Sequence, residues 1–370
     1  MREKIFIRAF IDGNFGDDLF VKVLCKRYPN KKFFIIGSGK YKSNFSKIEN
    51  LEFIVCDRVI KKIICKIVNV FGDLTGITGA KYFNLLRFYT VKYSKIAELN
   101  ILISGSYYIE WTDRSEYWRY YFKLEELYYS KRPCIIGINF GPYRTELYKR
   151  FYLQQLKKAV FISVRESKTF SLLEECNAVY AADVAFLYNI NEKVLPAITN
   201  YILISVVNSS YCNSDYLYKM CAIISFALVK GLKIVLLALS QGEKDIETIQ
   251  SILKMCGNKK NEIIVVEYGK VSTEEIVGWM NNANIVIAGR YHAMIVSWLL
   301  GTKVLPICYS EKMTNVINDI NPQAVYYTLK NISELDEKGL FEIRYAMPCL
   351  DDVILKAERN FMWLDKIFEI

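Results

Sequence analysis

Short apolar runs alternate with longer amphipathic stretches along most of the chain, and this alternation restricts the possible folds more than any other feature. A short apolar run predicts a buried strand, and a longer amphipathic stretch predicts a helix. Strands that alternate with helices are typical of βαβ units, which assemble into a parallel sheet covered by helices. The predicted strands of the first half cover residues 4–10, 32–36, 100–104, 133–138 and 160–164.

The same pattern restarts after a looser segment at residues 185–200, which we interpret as a linker. We therefore predict an α/β protein made of two doubly wound, Rossmann-like domains that face each other across a cleft. The first domain would cover residues 1–190 and the second residues 200–345. Within residues 346–370, a helix at 351–368 would cross back to the first domain. The predicted strands of the second half cover residues 201–207, 232–239, 262–266, 284–288 and 303–307.

Composition and cysteine spacing exclude several classes of protein. Hydrophobic residues make up 52% of the chain and charged residues 24%, which excludes an intrinsically disordered protein. The ten cysteines form no CxxC pair and have no neighbouring histidine, so we predict neither a metal site nor a disulfide framework. The most apolar window, residues 221–239, is interrupted by Lys230 and Lys233, which argues against a membrane-spanning helix. Arg8 interrupts the apolar run near the N-terminus, unlike a secretory signal, so we expect a cytoplasmic protein.

Positive charge is concentrated between residues 58 and 95. The formal net charge of the chain is +10, and this segment holds eight basic residues, one acidic residue and six aromatic residues. It fits a solvated basic face, a contact with an anionic membrane or a contact with nucleic acid. We rank the solvated face first and membrane contact second. Nucleic acid is not an expected partner, because no nucleic-acid-binding module accompanies the segment.

His292 is the only histidine of the chain, and it lies in the segment "AGRYHAMIVSWLLGTKVLPICYSEK". This segment is typical of one βαβ unit, with a turn at residues 289–292 and a polar loop at residues 309–312. Both follow parallel strands, so we predict that Arg290, His292 and Lys312 lie at the same edge of a sheet. A helix N-terminus at that edge favours an anion, and a histidine can exchange a proton near neutral pH. The alternative interpretation is that His292 only caps or packs against its own helix.

Other predicted strands also end in polar or glycine-containing turns. The segment "GNFGDD", at residues 13–18, opens a helix but lacks the spacing of a dinucleotide-binding or P-loop motif. The segment "SVRES" places Arg165 directly after a strand, where we expect it to project into the cleft. An arginine at a helix start is unfavourable unless an anion is near, so Arg165 is a candidate anion-binding residue. Asp183 follows a further strand, and the favoured role for it is capping.

In this order, the segments "NFGDD", "GINFGP", "SVRES", "AADVAF" and "GRYHAMIVSWLLGTKVLPICYSEK" resemble the polysaccharide pyruvyl transferase family. The resemblance implies a GT-B-like fold and transfer of pyruvate from phosphoenolpyruvate onto two hydroxyls of one sugar, which forms a cyclic ketal. It implies no cofactor, because phosphoenolpyruvate is a substrate. The acceptor would be a bacterial-type surface polysaccharide or its lipid-linked precursor. With a lipid-linked acceptor, the basic segment would hold the protein at the inner face of the membrane.

The resemblance also assigns roles to individual residues. It implies that His292 is the general acid and base and that Arg165 is a catalytic cation, with the second domain on the phosphoenolpyruvate side and the first on the acceptor side. The expected donor-binding residues are Arg290, Lys312, Gly289, Tyr309, Asn14 and Gly16. The expected acceptor-binding residues are Asp17, Tyr107, Trp111 and Asn139. At Gly289 the chain departs from the family, which commonly has serine or threonine there.

Two other functions stay open at this point. A GT-B glycosyltransferase that uses a nucleotide sugar would share the architecture and a cationic site for the diphosphate. No acidic pair spaced to hold a ribose is evident in the second domain, although Glu274 and Glu275 are candidates. A non-catalytic sugar-binding protein would be expected to lose the histidine or the cations, and both are present.

Overall fold

The computed structural model describes residues 4–56, 59–75, 85–110, 129–190, 194–207, 212–257 and 262–369. The chain forms two compact units. The first unit comprises Met1–Asp12, Phe20–Ala181 and Arg359–Ile370. The second unit comprises Gly13–Leu19 and Ala182–Glu358.

The first unit is built on a seven-stranded sheet in which every strand pair is parallel. Its strand order is β3-β2-β1-β4-β5-β6-β7. The strands are β1 (Ile5–Arg8), β2 (Phe33–Gly37), β3 (Leu51–Val55), β4 (Leu99–Ile103), β5 (Pro133–Ile138), β6 (Phe161–Val164) and β7 (Val179–Tyr180). The helices described between β1 and β7 in the sequence are α1 (Phe15–Arg27), α2 (Val59–Thr75), α3 (Leu85–Ile96), α4 (Glu146–Leu156) and α5 (Ser167–Leu172).

The second unit repeats the arrangement with a six-stranded parallel sheet of order β10-β9-β8-β11-β12-β13. Its strands are β8 (Tyr201–Ser205), β9 (Lys233–Ala238), β10 (Ile263–Glu267), β11 (Ile285–Ala288), β12 (Val304–Cys308) and β13 (Tyr327–Thr328). Its helices are α6 (Ser214–Val229), α7 (Asp245–Cys256), α8 (Thr273–Asn281), α9 (Tyr291–Leu299), α10 (Glu311–Ile320) and α11 (Leu350–Glu358). Helix α12 (Met362–Phe368) follows and belongs to the first unit.

The central strands are buried on both faces, which is why they are largely apolar. All residues of β1, β4, β8 and β11 are buried, as expected when helices cover both faces of a parallel sheet. In each sheet the strand order reverses beside the first strand, between β1 and β4 and between β8 and β11. Ligands of open α/β sheets bind beyond the carboxyl ends of the strands at such a reversal. The fold therefore provides one candidate edge in each unit.

Residues 13–19 join the second unit although they directly follow β1. The Phe15 N–H donates to the Leu239 carbonyl (2.9 Å) and the Gln241 N–H to the Gly13 carbonyl (3.1 Å). The Tyr268 hydroxyl donates to Asp18 Oδ2 (2.8 Å), and both side chains are buried. These bonds place the turn before α1 at the carboxyl ends of β9 and β10.

The C-terminal segment contains two helices where the apolar pattern predicted a single one at residues 351–368. The chain leaves the helix between α11 and α12, and Asn360 at this break is fully buried. Its side-chain oxygen accepts a hydrogen bond from the Ser163 hydroxyl (2.7 Å). Asp365 of α12 accepts two hydrogen bonds from Arg27 (2.9 and 2.7 Å) and one from the Tyr28 hydroxyl (2.8 Å). These bonds attach Asn360 and α12 to other elements of the first unit.

The apolar window at residues 221–239 divides into the end of α6, a turn and β9. Gly231 adopts a φ of +75°, a left-handed value that favours glycine and ends the helix. Among the described helices, none combines the length and apolar character that a membrane crossing requires.

Candidate functional site

The turn between β11 and α9 positions the only histidine. The Gly289 N–H donates to the Ser205 carbonyl at the end of β8 (2.8 Å). A Cβ at position 289 would lie 2.6 Å from that carbonyl oxygen and 2.9 Å from the Val207 nitrogen. Glycine is therefore required for the turn to pass this close to the neighbouring strand.

His292 lies in the first turn of α9, and its ring packs directly on the backbone of Gly16. A Cβ at Gly16 would lie 1.7 Å from Nδ1 and 2.2 Å from Cε1 of His292, so any larger residue here would displace the ring. The Gly16 N–H donates to the Asn14 side-chain oxygen (3.0 Å). The ring of Tyr291 makes an edge contact with the imidazole at 5.0 Å between centroids. Two predicted donor-binding residues, Asn14 and Gly16, thus lie together with His292.

Asp183 approaches the opposite nitrogen of the same ring. Its Oδ1 lies 3.9 Å from His292 Nε2, and the carboxylate is fully buried. The same oxygen accepts a hydrogen bond from the Ala185 N–H (2.8 Å) and caps the short 3₁₀ helix Val184–Leu187. The capping role predicted for Asp183 is confirmed. In addition, the carboxylate attracts the imidazole when the ring carries a proton.

Arg290 precedes His292 but turns toward a different set of residues. Its guanidinium is 7% exposed and binds both carboxylate oxygens of Asp245 as well as Glu243. Asp245 also accepts hydrogen bonds from the backbone of Leu239 (3.0 Å) and Ser240 (2.9 Å). Burial alone would lower the pKa of Arg290, but the charges of Asp245 and Glu243 outweigh burial and raise this pKa. Arg290 is thus a fixed cation that two carboxylates of its own unit already hold, and its predicted contact with the donor stays a prediction.

Replacing Arg290 with methionine is expected to lower the free energy of unfolding by about 3–5 kcal/mol, because Asp245 would become a buried charge without its partner. Urea unfolding of the purified protein measures this change. As a matched control, Glu243→Gln should cost only about 0.2–1 kcal/mol, since Glu243 is 38% exposed. Adding Asp245→Asn to Arg290→Met should restore part of the loss. An Arg290→Met protein as stable as the wild type would show that the ion pair does not stabilise the second unit.

The loop after β12 contributes Tyr309 and Lys312. Lys312 Nζ lies 5.4 Å from the centre of the Tyr309 ring, and Lys312 is the second residue of α10. Ser310, which precedes α10, has a buried hydroxyl with no hydrogen-bond partner within the described part of the chain, and so has Ser205 at the end of β8. These two hydroxyls at strand ends were not among the predicted site residues.

Arg165 and Asn139 come together in the first unit. Arg165 is 3% exposed, and its Nη2 donates to the Asn139 side-chain oxygen (2.8 Å). The Ser106 hydroxyl donates to the same oxygen (3.2 Å). A Cβ at Gly105 would lie 2.4 Å from Arg165 Nη2, so the turn after β4 packs directly on the guanidinium. This arrangement holds a buried cation at the carboxyl edge of the first sheet.

Arg8 ends β1 at the same edge and binds Tyr107, a predicted acceptor residue. Its Nη2 donates to the Tyr107 hydroxyl (2.6 Å), and Arg8 is 8% exposed. The ring of Phe10 lies 5.2 Å from the Tyr107 ring. Arg8 was not among the predicted site residues, although a basic residue at the carboxyl end of a buried strand is a signal for one.

The other two predicted acceptor-binding residues are Asp17 and Trp111. Asp17 is half-buried in the first turn of α1. Trp111 lies outside the described residues, as does most of the aromatic segment at 107–129. Within the described ranges, no group of three or more His, Cys, Asp or Glu side chains is placed to hold a metal ion.

Two comparisons with known sequences give the following results. A family model described as polysaccharide pyruvyl transferase matches residues 14–311. A search of curated proteins finds no match.

Three solved structures with similar folds cover nearly the whole chain. HepE from Anabaena in complex with UDP-glucose is 10% identical, with 98% of this chain and 96% of HepE covered and a TM-score of 0.58. The UDP-GlcNAc 2-epimerase of Methanocaldococcus jannaschii, in complex with UDP-GlcNAc and UDP, is 10% identical, with 99% and 100% covered and a TM-score of 0.58. A glycosyltransferase from Rickettsia africae is 11% identical, with 97% and 94% covered and a TM-score of 0.50. At these identities the likeness concerns the fold alone, and it confirms the predicted class of two Rossmann-like domains of GT-B type.

Proposed function

The chain belongs to the polysaccharide pyruvyl transferase family, and from this premise we propose that it transfers the pyruvyl group of phosphoenolpyruvate to a sugar as a cyclic ketal. The acceptor is a residue of a surface polysaccharide or of its lipid-linked precursor. The observation that supports the proposal best is the environment of His292, the only imidazole of the chain. Its ring lies against Gly16, with the Asp183 carboxylate 3.9 Å from Nε2.

The proposed reaction is an addition followed by a substitution at the same carbon. A sugar hydroxyl attacks C2 of phosphoenolpyruvate while the C3 methylene takes up a proton and becomes a methyl group. A second hydroxyl of the same sugar then attacks C2, the bond from C2 to the phosphate oxygen breaks, and inorganic phosphate leaves. One hydroxyl proton is balanced by the proton delivered to C3, and the other leaves with the phosphate or passes to solvent. The reaction thus needs a group that gives and takes protons. It also needs cations that bind the phosphate and the carboxylate of the donor.

His292 is proposed to deliver the proton to C3 and to take the proton of an attacking hydroxyl. The buried Asp183 stabilises the charged imidazole, which is present before the proton goes to C3 and again after the hydroxyl proton has been taken up. Arg165 and Arg290 are proposed to bind the phosphate or carboxylate of the donor, and Lys312 to neutralise the leaving phosphate. Because Arg290 already binds two carboxylates, we expect Lys312 to contribute more to donor affinity.

A direct test incubates the full chain with phosphoenolpyruvate and a panel of candidate glycans. We expect release of inorganic phosphate together with an acceptor whose mass increases by one pyruvate minus one water. Phosphate release without a modified acceptor would indicate hydrolysis only. If no acceptor of the panel yields either product while phosphoenolpyruvate also fails to bind, the proposed donor is wrong.

A second candidate function is glycosyl transfer from a nucleotide sugar. The observation in its favour is that two of the similar folds, HepE and the epimerase, were solved with UDP-sugars. Thermal unfolding with each class of ligand separates the candidates. We expect phosphoenolpyruvate at a hundred times its dissociation constant to stabilise the protein by about 2.7 kcal/mol. Stabilisation by UDP-sugars and none by phosphoenolpyruvate would favour the glycosyltransferase instead.

A further inference from the structure

Helix α2 presents a stripe of large apolar side chains to solvent, which we call the α2 stripe. Its members recur at intervals of three and four residues, so they lie along one side of the helix. Their exposed fractions range from 54% to 82%. The half-buried Val68 and Asn69 lie on the other side of the helix. The members of the α2 stripe are Ile63, Ile67, Val70, Phe71 and Leu74.

Such a stripe differs from the isolated apolar residues found on most protein surfaces. Single exposed leucines or valines are common, whereas a contiguous apolar patch marks a surface that contacts another phase or molecule. Five neighbouring large side chains exposed to water are unfavourable in proportion to their apolar area. The α2 stripe is therefore expected to be covered when the protein works.

The charges around the α2 stripe indicate what covers it. Residues 58–95, which contain α2 and α3, carry eight basic residues and one acidic residue. Lys66 on α2 is exposed, and so are Lys92 and Lys95 on α3, a helix that contacts α2. An apolar stripe flanked by basic residues complements an anionic lipid surface, whose acyl region takes up the apolar side chains and whose headgroups attract the lysines.

We propose that α2 is an interfacial membrane anchor, which lies flat on an anionic bilayer with the α2 stripe inserted at the boundary of the acyl chains. The helix has 17 residues and is about 25 Å long, and it would bind without crossing the bilayer. A second copy of this chain would bring like charges together, and a protein partner would need a strongly acidic groove. The anchor does not rest on the proposed reaction, since it depends only on the surface of α2 and α3.

Co-sedimentation of the full chain with vesicles tests the anchor. We expect binding to vesicles that contain phosphatidylserine in phosphatidylcholine, weaker binding to phosphatidylcholine alone, and a loss of binding as salt increases. The triple variant Ile67→Ser/Phe71→Ser/Leu74→Ser should reduce binding by at least about tenfold. Its matched control is Leu147→Ser/Val229→Ser/Leu355→Ser, which removes equally exposed apolar residues from other helices and should bind like the wild type.

A gain of signal makes the test independent of any loss of folding. Tryptophan introduced as Phe71→Trp should add fluorescence that shifts to the blue with anionic vesicles, compared with the wild type. Equal binding by the triple variant and the wild type would contradict the proposal. Absence of vesicle binding would also overturn it, and a dimer that the triple variant dissociates would then identify a second copy as the occupant. Pyruvyl transfer to a water-soluble acceptor, measured without vesicles, should be unchanged in the triple variant, so the two proposals fail separately.

Discussion

Replacing His292 with asparagine is expected to reduce kcat for pyruvyl transfer by about 10²- to 10⁴-fold, the usual contribution of a general acid or base. Asparagine fits the space that the ring occupies beside Gly16, but its amide does not exchange a proton near neutral pH. The donor is bound mainly through its phosphate and carboxylate, so the binding of phosphoenolpyruvate should be retained. Single-turnover phosphate release and calorimetric binding of phosphoenolpyruvate measure the two effects separately.

The presence of a single histidine allows a second readout. In protein without an affinity tag, all imidazole proton signals in an NMR spectrum come from His292, so its titration is measured without assignment. The midpoint of that titration should coincide with an apparent pKa in the pH profile of kcat/KM. Because the first step needs a proton for C3, the rate should fall as pH rises through this midpoint. If His292→Asn turned over at the wild-type rate, the general acid would have to be another residue.

The strands of both sheets were predictable because their sequences are shaped by burial. Every predicted strand is present, and the central ones are largely apolar and covered on both faces. The sequence did not reveal β3, whose residues are mostly half-buried and include Glu52, because an edge strand need not be apolar throughout. The two-residue strands β7 and β13 are too short to produce a pattern.

Candidate site residues were predictable where the topology is local and not where it is long-range. The position of His292 at the end of β11 follows from one βαβ unit, and the structure confirms it. The partners of Arg290 could not be predicted from that unit. Asp245 and Glu243 follow β9, which is separated from β11 by β8 in the sheet. Periodicity identifies the ends of strands, but it does not say which carboxylate a buried guanidinium will reach.

The contact of Gly16 with His292 depends on the same kind of long-range information. The sequence indicated a turn and a helix start at residues 13–18, and both are present. It did not indicate that this turn would bond to the ends of strands in the second unit. The packing of the His292 ring on the Gly16 backbone therefore connects two segments that are 276 residues apart in the sequence.

Gly16→Ala is expected to lower kcat about as much as His292→Asn does, although no reacting group is removed. A methyl group at position 16 would overlap the imidazole, with 1.7 Å to Nδ1, so the ring has to leave its place near Asp183. Alanine is favoured over glycine within a helix by about 1 kcal/mol, and the backbone of Gly16 is not left-handed. Thermal unfolding should therefore show little loss of stability from the helix itself, while steady-state kinetics show the loss of turnover.

Gly301→Ala is the matched control for Gly16→Ala. Gly301 has a φ of +72°, and no atom lies within 4 Å of a Cβ placed there, so alanine should cost about 1 kcal/mol of stability without displacing any side chain. Activity should be retained in this control. In the His292→Asn background, Gly16→Ala should add little further loss of turnover, since the ring it displaces is absent. A Gly16→Ala enzyme with normal kcat and an unshifted imidazole signal would mean that the packing of this ring on Gly16 does not position the proton carrier.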